Sequence, residues 1–76
     1  MNVYQYINRN IERIKIDVRI GLTPYTVLRQ WEAYSRYDAY KKMNYSVTDA
    51  VLYASADLSI SERAVYKIIK RMEASI

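Results

Sequence analysis

From Val3 to Ile20 the apolar residues Val3, Ile7, Ile11, Ile14 and Val18 recur at steps of four, four, three and four, with Arg9, Arg13, Lys15 and Arg19 between them. That spacing lines one face of a cylinder and predicts a first helix of about five turns. Gly21, the only glycine, ends it, because a residue without Cβ closes a helix in left-handed backbone. Thr23-Pro24 follows as a side-chain cap and the residue best tolerated at a first helical position, so a second helix starts at Pro24. It runs to about Met43, with Val27, Leu28, Trp31, Tyr34 or Ser35, Ala39 and Met43 as its inward stripe and Asn44 as its left-handed terminator.

Ser46-Val47-Thr48-Asp49 fits a capping box, in which the Ser46 hydroxyl accepts from the Asp49 amide while the Asp49 carboxylate reaches back to the Ser46 amide. A short third helix, about Val47 to Asp57, places Val47, Ala50, Val51, Ala54 and Leu58 on one side. After the break Leu58-Ser59-Ile60 a fourth helix begins, capped either by Ser61 or by Ser59 with Glu62 three residues on. Val65, Ile68, Ile69 and Met72 form one apolar stripe through about Ala74, and Glu62, Arg63, Tyr66, Lys67, Lys70 and Arg71 stand opposite it. The expected fold is all-α: four helices in one helical domain over residues 1–76, with helices two to four as a three-helix core and a long N-terminal helix added.

Composition narrows the chemistry. One Gly and one Pro in 76 residues argue against a turn-rich β chain, and 51% hydrophobic with 26% charged residues argues against disorder. No apolar run approaches the roughly 18 residues of a membrane span, so the expected setting is cytoplasmic, without membrane contact. With no Cys and no His there is no thiol nucleophile, disulfide or zinc finger, and the eight carboxylates are spread singly. Asp49 and Asp57 stand eight apart, too far for a helical metal pair. The expectation is therefore a non-enzyme with no cofactor, metal or small-molecule substrate. Twelve Lys and Arg against eight Asp and Glu give a net charge of +4, which favours an anionic partner.

Ala54 to Ile69 combines small inward residues, a three-residue break and a serine-capped helix, and this stretch resembles a bacterial helix-turn-helix. In that family a small residue of the first helix lets the second cross it closely, matched by Ser55 with Ala54 beside it. An apolar residue three positions later packs under the turn, matched by Leu58. An aliphatic residue followed by Ser or Thr ends the turn, matched by Ile60-Ser61, and Val65 and Ile68 match the inward positions of the second helix. The run from Ile60 to Arg71 is similar to recognition helices of transposases, small repressors and the last region of sigma factors. One position departs: Ser59 stands where the family most often has Gly, and a left-handed non-Gly residue costs on the order of 1 kcal/mol.

The resemblance covers about a quarter of the chain by motif, inside a unit of about residues 46–74, and implies sequence-selective binding of duplex DNA, in a small bacterial regulator or an accessory protein of a phage or mobile element. It would turn Ser61, Glu62, Arg63, Tyr66, Lys67, Lys70 and Arg71 toward DNA. Arg63 suits two hydrogen bonds to a guanine and Glu62 can accept from cytosine. Lys67, Lys70 and Arg71 suit phosphates. The plain alternative is an amphipathic helix whose cations merely face water.

Two other features admit more than one role. Trp31, Tyr34, Tyr37 and Tyr40 recur every three residues among basic neighbours, but that step drifts about 60° around a helix, so the rings spiral and make no stacking platform for bases. Trp31 and Tyr34 read as core, with Tyr37 and Tyr40 as a packing surface for helix one or for another copy. Ile16 and Ile20 give helix one a second apolar face; either they close the core with Leu22 against helices two and four, or they hold a homodimer whose two DNA-reading units sit one turn apart. The alternative function is a protein-interaction module that uses the tyrosine-rich helix two or helix one.

Overall fold

The computed structural model describes residues 1–76, which fold into five helices. These are α1 (Val3–Arg9), α2 (Ile11–Arg19), α3 (Tyr25–Lys42), α4 (Val47–Leu58) and α5 (Glu62–Met72). The all-α class holds, but the expected long first helix is two helices. They break at Asn10, whose Nδ2 donates to the Tyr6 carbonyl at 2.8 Å while its backbone N–H bonds both Tyr6 and Ile7 carbonyls. An asparagine side chain that competes for backbone partners is a known helix interrupter, and apolar spacing does not register it. At the other end of α1, Asn2 and Gln5 exchange side-chain to backbone bonds of 2.8 Å in each direction, a complete capping box.

Three helix ends close in the same way. Gly21, Asn44 and Ser59 are the only residues with positive φ, at 84°, 69° and 55°. After α4, Ile60 N–H donates to the Ser55 carbonyl and Ser59 N–H to the Ala56 carbonyl, which is the Schellman arrangement. Leu22 to Asp17 with Gly21 to Val18, and Tyr45 to Tyr40 with Asn44 to Lys41, repeat it after α2 and α3. The apolar contact that accompanies such ends is present after α3, where the rings of Tyr40 and Tyr45 lie 5.8 Å apart. The expected terminators Gly21 and Asn44 thus do what their residue types permit. The starts differ: Pro24 itself is the cap residue of α3, in extended backbone and without a side-chain bond from Thr23, so the helix begins one residue later than expected.

The longest helix, α3, is the pillar on which the others lean. Tyr40 meets Tyr53 and Asp57 of α4, and Arg36 also reaches Asp57, so α4 returns antiparallel along α3. On another side Tyr4 stacks on Tyr34 at 4.5 Å and hydrogen-bonds Ser35 at 3.0 Å, and Asn8 accepts from the Trp31 indole at 3.2 Å. The core consists of Ile7, Tyr34, Tyr37, Ala50, Val51, Ala54, Val65 and Met72. Each methylene removed from water there contributes about 0.8 kcal/mol.

The inward stripe of α3 is rotated from the expected one. Ala33, Tyr34 and Tyr37 are buried, whereas Ala39 and Met43 face outward. The reason is that α1, α4 and α5 pack on α3 from directions that the period of a single helix does not contain. Tyr37, read as a surface residue, is therefore core, 5.6 Å from the ring of Tyr34. Val47, read as inward, is 44% exposed because it opens α4 beyond the end of α3. Ile16, Ile20 and Leu22 do not close the core; they remain 53%, 62% and 74% exposed.

Candidate functional site

Small residues of α4 are buried where the helices converge. Ala50 and Ala54 are fully buried and Ser55 nearly so, its hydroxyl turned back on its own helix to donate to the Leu52 carbonyl at 2.7 Å. That bond satisfies the one buried polar side chain within its own helix. The turn follows with Ser59 in left-handed backbone, as the sequence anticipates, and Ser61 then caps α5 by accepting from the Ala64 N–H at 3.1 Å. Of the two caps the sequence leaves open, Ser61 is the one used. Ser46 caps α4 by accepting from the Asp49 N–H at 3.1 Å, but the return bond of the expected box is not formed.

Val65 and Met72 anchor α5 with no exposed surface, and Ile68 and Ile69 pack half-buried beside them. Ser61, Glu62, Arg63, Tyr66, Lys67, Lys70 and Arg71 are all exposed, so the structure brings the seven sequence-derived site residues onto one free face. From Glu62 the spacing of that face is i, i+1, i+4, i+5, i+8 and i+9, a single stripe along an 11-residue rod about 16 Å long.

Most cations of the protein are unpaired, those of this face and Arg9, Arg13, Arg19, Arg29 and Lys41 alike. The ion pairs of the protein are Lys15–Glu12, Arg36–Glu32, Arg36–Asp57 and Lys42–Asp38, at 3.0 to 3.8 Å. None involves α5, so Arg63, Lys67, Lys70 and Arg71 have no carboxylate within 4 Å. Glu62 is the one acid on the face. Glu73, just past the helix, is held by Tyr34, whose hydroxyl donates to its carboxylate at 2.9 Å. Burial, reinforced by that bond and by the charge of Glu73, pushes the Tyr34 hydroxyl well above the ordinary tyrosine range. Tyr37 is raised too, first by burial and then by the same carboxylate.

This clamp escaped the sequence reading, because two residues 39 apart carry no periodic signal. A second tie is also non-local: Val3 N–H donates to the Ala74 carbonyl and Ile76 N–H to the Met1 carbonyl, so the two ends of the chain form a short antiparallel bridge. Together they hold the C-terminal end of α5 against α1 and α3.

A groove of about 490 Å³ separates α5 from the first two turns of α3, lined by Tyr25, Arg29, Leu58, Ile60, Ala64 and Ile68 among others. Elsewhere, Ile16, Ile20 and Leu22 at the end of α2, and Met43, Tyr45, Val47, Leu52 and Tyr53 around the α3–α4 connection, are exposed apolar side chains. The tyrosines of α3 form no base-stacking platform, since Tyr34 and Tyr37 are buried and Tyr40 packs on Tyr45 and Tyr53. No helix is long and apolar enough to cross a membrane. Comparison with protein-family models, curated proteins and solved structures returned no match.

Proposed function

We propose that α4, the Ser59 turn and α5 act as a helix-turn-helix that binds duplex DNA selectively and without catalysis. The observation that carries this reading is the exposed face of α5, which holds four cations free of ion pairs on a helix fixed by buried Val65 and Met72. A major groove about 12 Å wide admits one such rod, and side chains near its N-terminus reach base edges. In this arrangement Arg63 reads a guanine and Glu62 a cytosine. Tyr66 lies at the groove wall, and Lys67, Lys70 and Arg71 neutralise phosphates. Ser61 keeps its hydroxyl proton for a phosphate because its oxygen already accepts the cap bond. The resemblance of Ile60–Arg71 to recognition helices suggests a small bacterial regulator or a mobile-element protein acting in the cytoplasm.

Fluorescence anisotropy of a labelled mixed-sequence duplex at about 50 and 200 mM salt tests the reading, because neutralised phosphates make affinity fall steeply with salt. Absence of binding at the lower concentration rejects it. With binding in hand, Arg63→Ala flattens preference among sequences, and Lys70→Ala weakens all of them alike. Identical behaviour of the two variants rejects the assignment of roles.

A second reading, a protein-interaction module, is favoured by the exposed apolar residues of α2 and of the α3–α4 corner. The same surface on α2 serves a homodimer that places two α5 rods on successive turns of DNA. Sedimentation of Ile16→Glu against the parent separates these cases, since a dimer through α2 dissociates in the variant. Tyr37 is unsuited to that test because it lies in the core.

A further inference from the structure

One of the unpaired cations outside α5 stands across a groove from it, on a different helix. Arg29 of α3 is exposed and has no carboxylate within 4 Å, and it lines the groove whose opposite wall is Ala64 and Ile68 of α5. Residues 64, 67, 68 and 71 are spaced i, i+3, i+4 and i+7, so Lys67 and Arg71 share that flank of α5 with the wall residues. Arg29 is thus across the groove from the flank that carries Lys67 and Arg71. Tyr25 and Thr26 line the same side as Arg29, each with a hydroxyl to donate. Glu32, the one carboxylate along the groove, is turned to Arg36 at 3.7 Å.

We propose that Arg29 is a positioning residue for DNA, clamping the phosphate strand that borders the major groove when α5 lies inside it. The inference rests on the DNA reading of α5. Arg29 is the one cation that lines the groove, otherwise walled largely by Leu58, Ile60, Ala64 and Ile68. Lys67 and Arg71 stand on the α5 flank beside it, so the cations lie at its edges, where a phosphate strand passing over the surface meets them. Arg29 also tells the protein which way to lie: with contacts from two helices on one strand, the rod cannot roll in the groove. The consequence is sequence-independent, because phosphates carry no base identity.

The test is the salt dependence of duplex binding for the full chain with Arg29→Gln, beside Lys42→Gln as a control that removes the same charge from the far end of the same helix. Lys42 is paired with Asp38 at 3.0 Å and lines no groove with α5. Arg29→Gln is expected to lower the slope of log affinity against log salt by about one, equally for preferred and random duplexes, while Lys42→Gln leaves it at the parental value. Between about 50 and 200 mM salt one lost contact changes the affinity ratio about 3.5-fold. A parental slope in Arg29→Gln, with the parent binding normally, overturns the clamp and leaves the DNA reading standing. A parent that does not bind overturns both. Equal loss of slope in both variants shows a net-charge effect and also overturns the clamp.

Discussion

Ser59 offers the sharpest test of the turn between α4 and α5. It holds φ 55° and ψ 41°, it is exposed, and its side chain makes no hydrogen bond, so a substitution there acts on the backbone alone. Left-handed backbone costs an ordinary residue about 1–2 kcal/mol. Glycine removes that cost but forfeits about 0.5–1 kcal/mol through the extra freedom of its unfolded chain. The net expectation for Ser59→Gly is a gain of about 0.5 kcal/mol. Unfolding entropy of about 2.1 cal/mol/K per residue gives roughly 160 cal/mol/K for this chain, so Tm rises by about 3 °C. Ser59→Val moves the other way, because a β-branched residue crowds its own backbone in that region; a loss of about 1 kcal/mol, or about 6 °C, is expected. Thermal unfolding followed by circular dichroism measures both. A Ser59→Gly protein that melts below the parent, or a Ser59→Val protein that melts with it, refutes the left-handed turn and the mutual orientation of α4 and α5 that depends on it.

Gly21→Ala is expected to cost about 0.5 kcal/mol in chemical denaturation, the same balance of backbone strain against unfolded-chain freedom with its sign reversed, since an added Cβ meets nothing within 4 Å. Val65→Ala, at a site with no exposed surface, should lose about 2 kcal/mol by the same measurement; an effect under about 0.5 kcal/mol would show that α5 is not anchored there. Because the Tyr34 hydroxyl is raised in the folded state above the ordinary value of about 10, its contribution is fully present below pH 10 and fades as pH climbs beyond it. Tyr34→Phe should therefore be about 1 kcal/mol less stable than the parent at pH 7, and the gap should narrow between about pH 10 and 12. A gap that is constant or widens with pH would contradict the raised Tyr34 hydroxyl, which burial and then the bond to Glu73 produce.

Much of the candidate site was legible because its signals are local. A serine hydroxyl three residues from the amide it caps, a small residue such as Asn or Ser at a left-handed end, and apolar positions at three- and four-residue steps all act within about one helical turn. Ser46, Ser61, Asn44 and the outward face of α5 accordingly stand where the sequence puts them. The break at Asn10 was equally local but invisible to an apolar-spacing argument, because it depends on which carbonyl an amide side chain chooses. What remained hidden is non-local: the Tyr34–Glu73 clamp, the bridge between Asn2 and Ser75, and the position of Arg29 across a groove from α5.

The amino-acid order by itself determined the helical class, the ends of α2 to α4, the start of α5 and the polarity of its outer face, since each follows from interactions among residues within about five positions. Only the tertiary structure decided which side of α3 is core and which apolar residues of α2 stay in water. The physical reason is that an α3 rich in tyrosine and alanine has apolar surface around most of its circumference, and the choice among those faces is made by the helices that arrive to cover them.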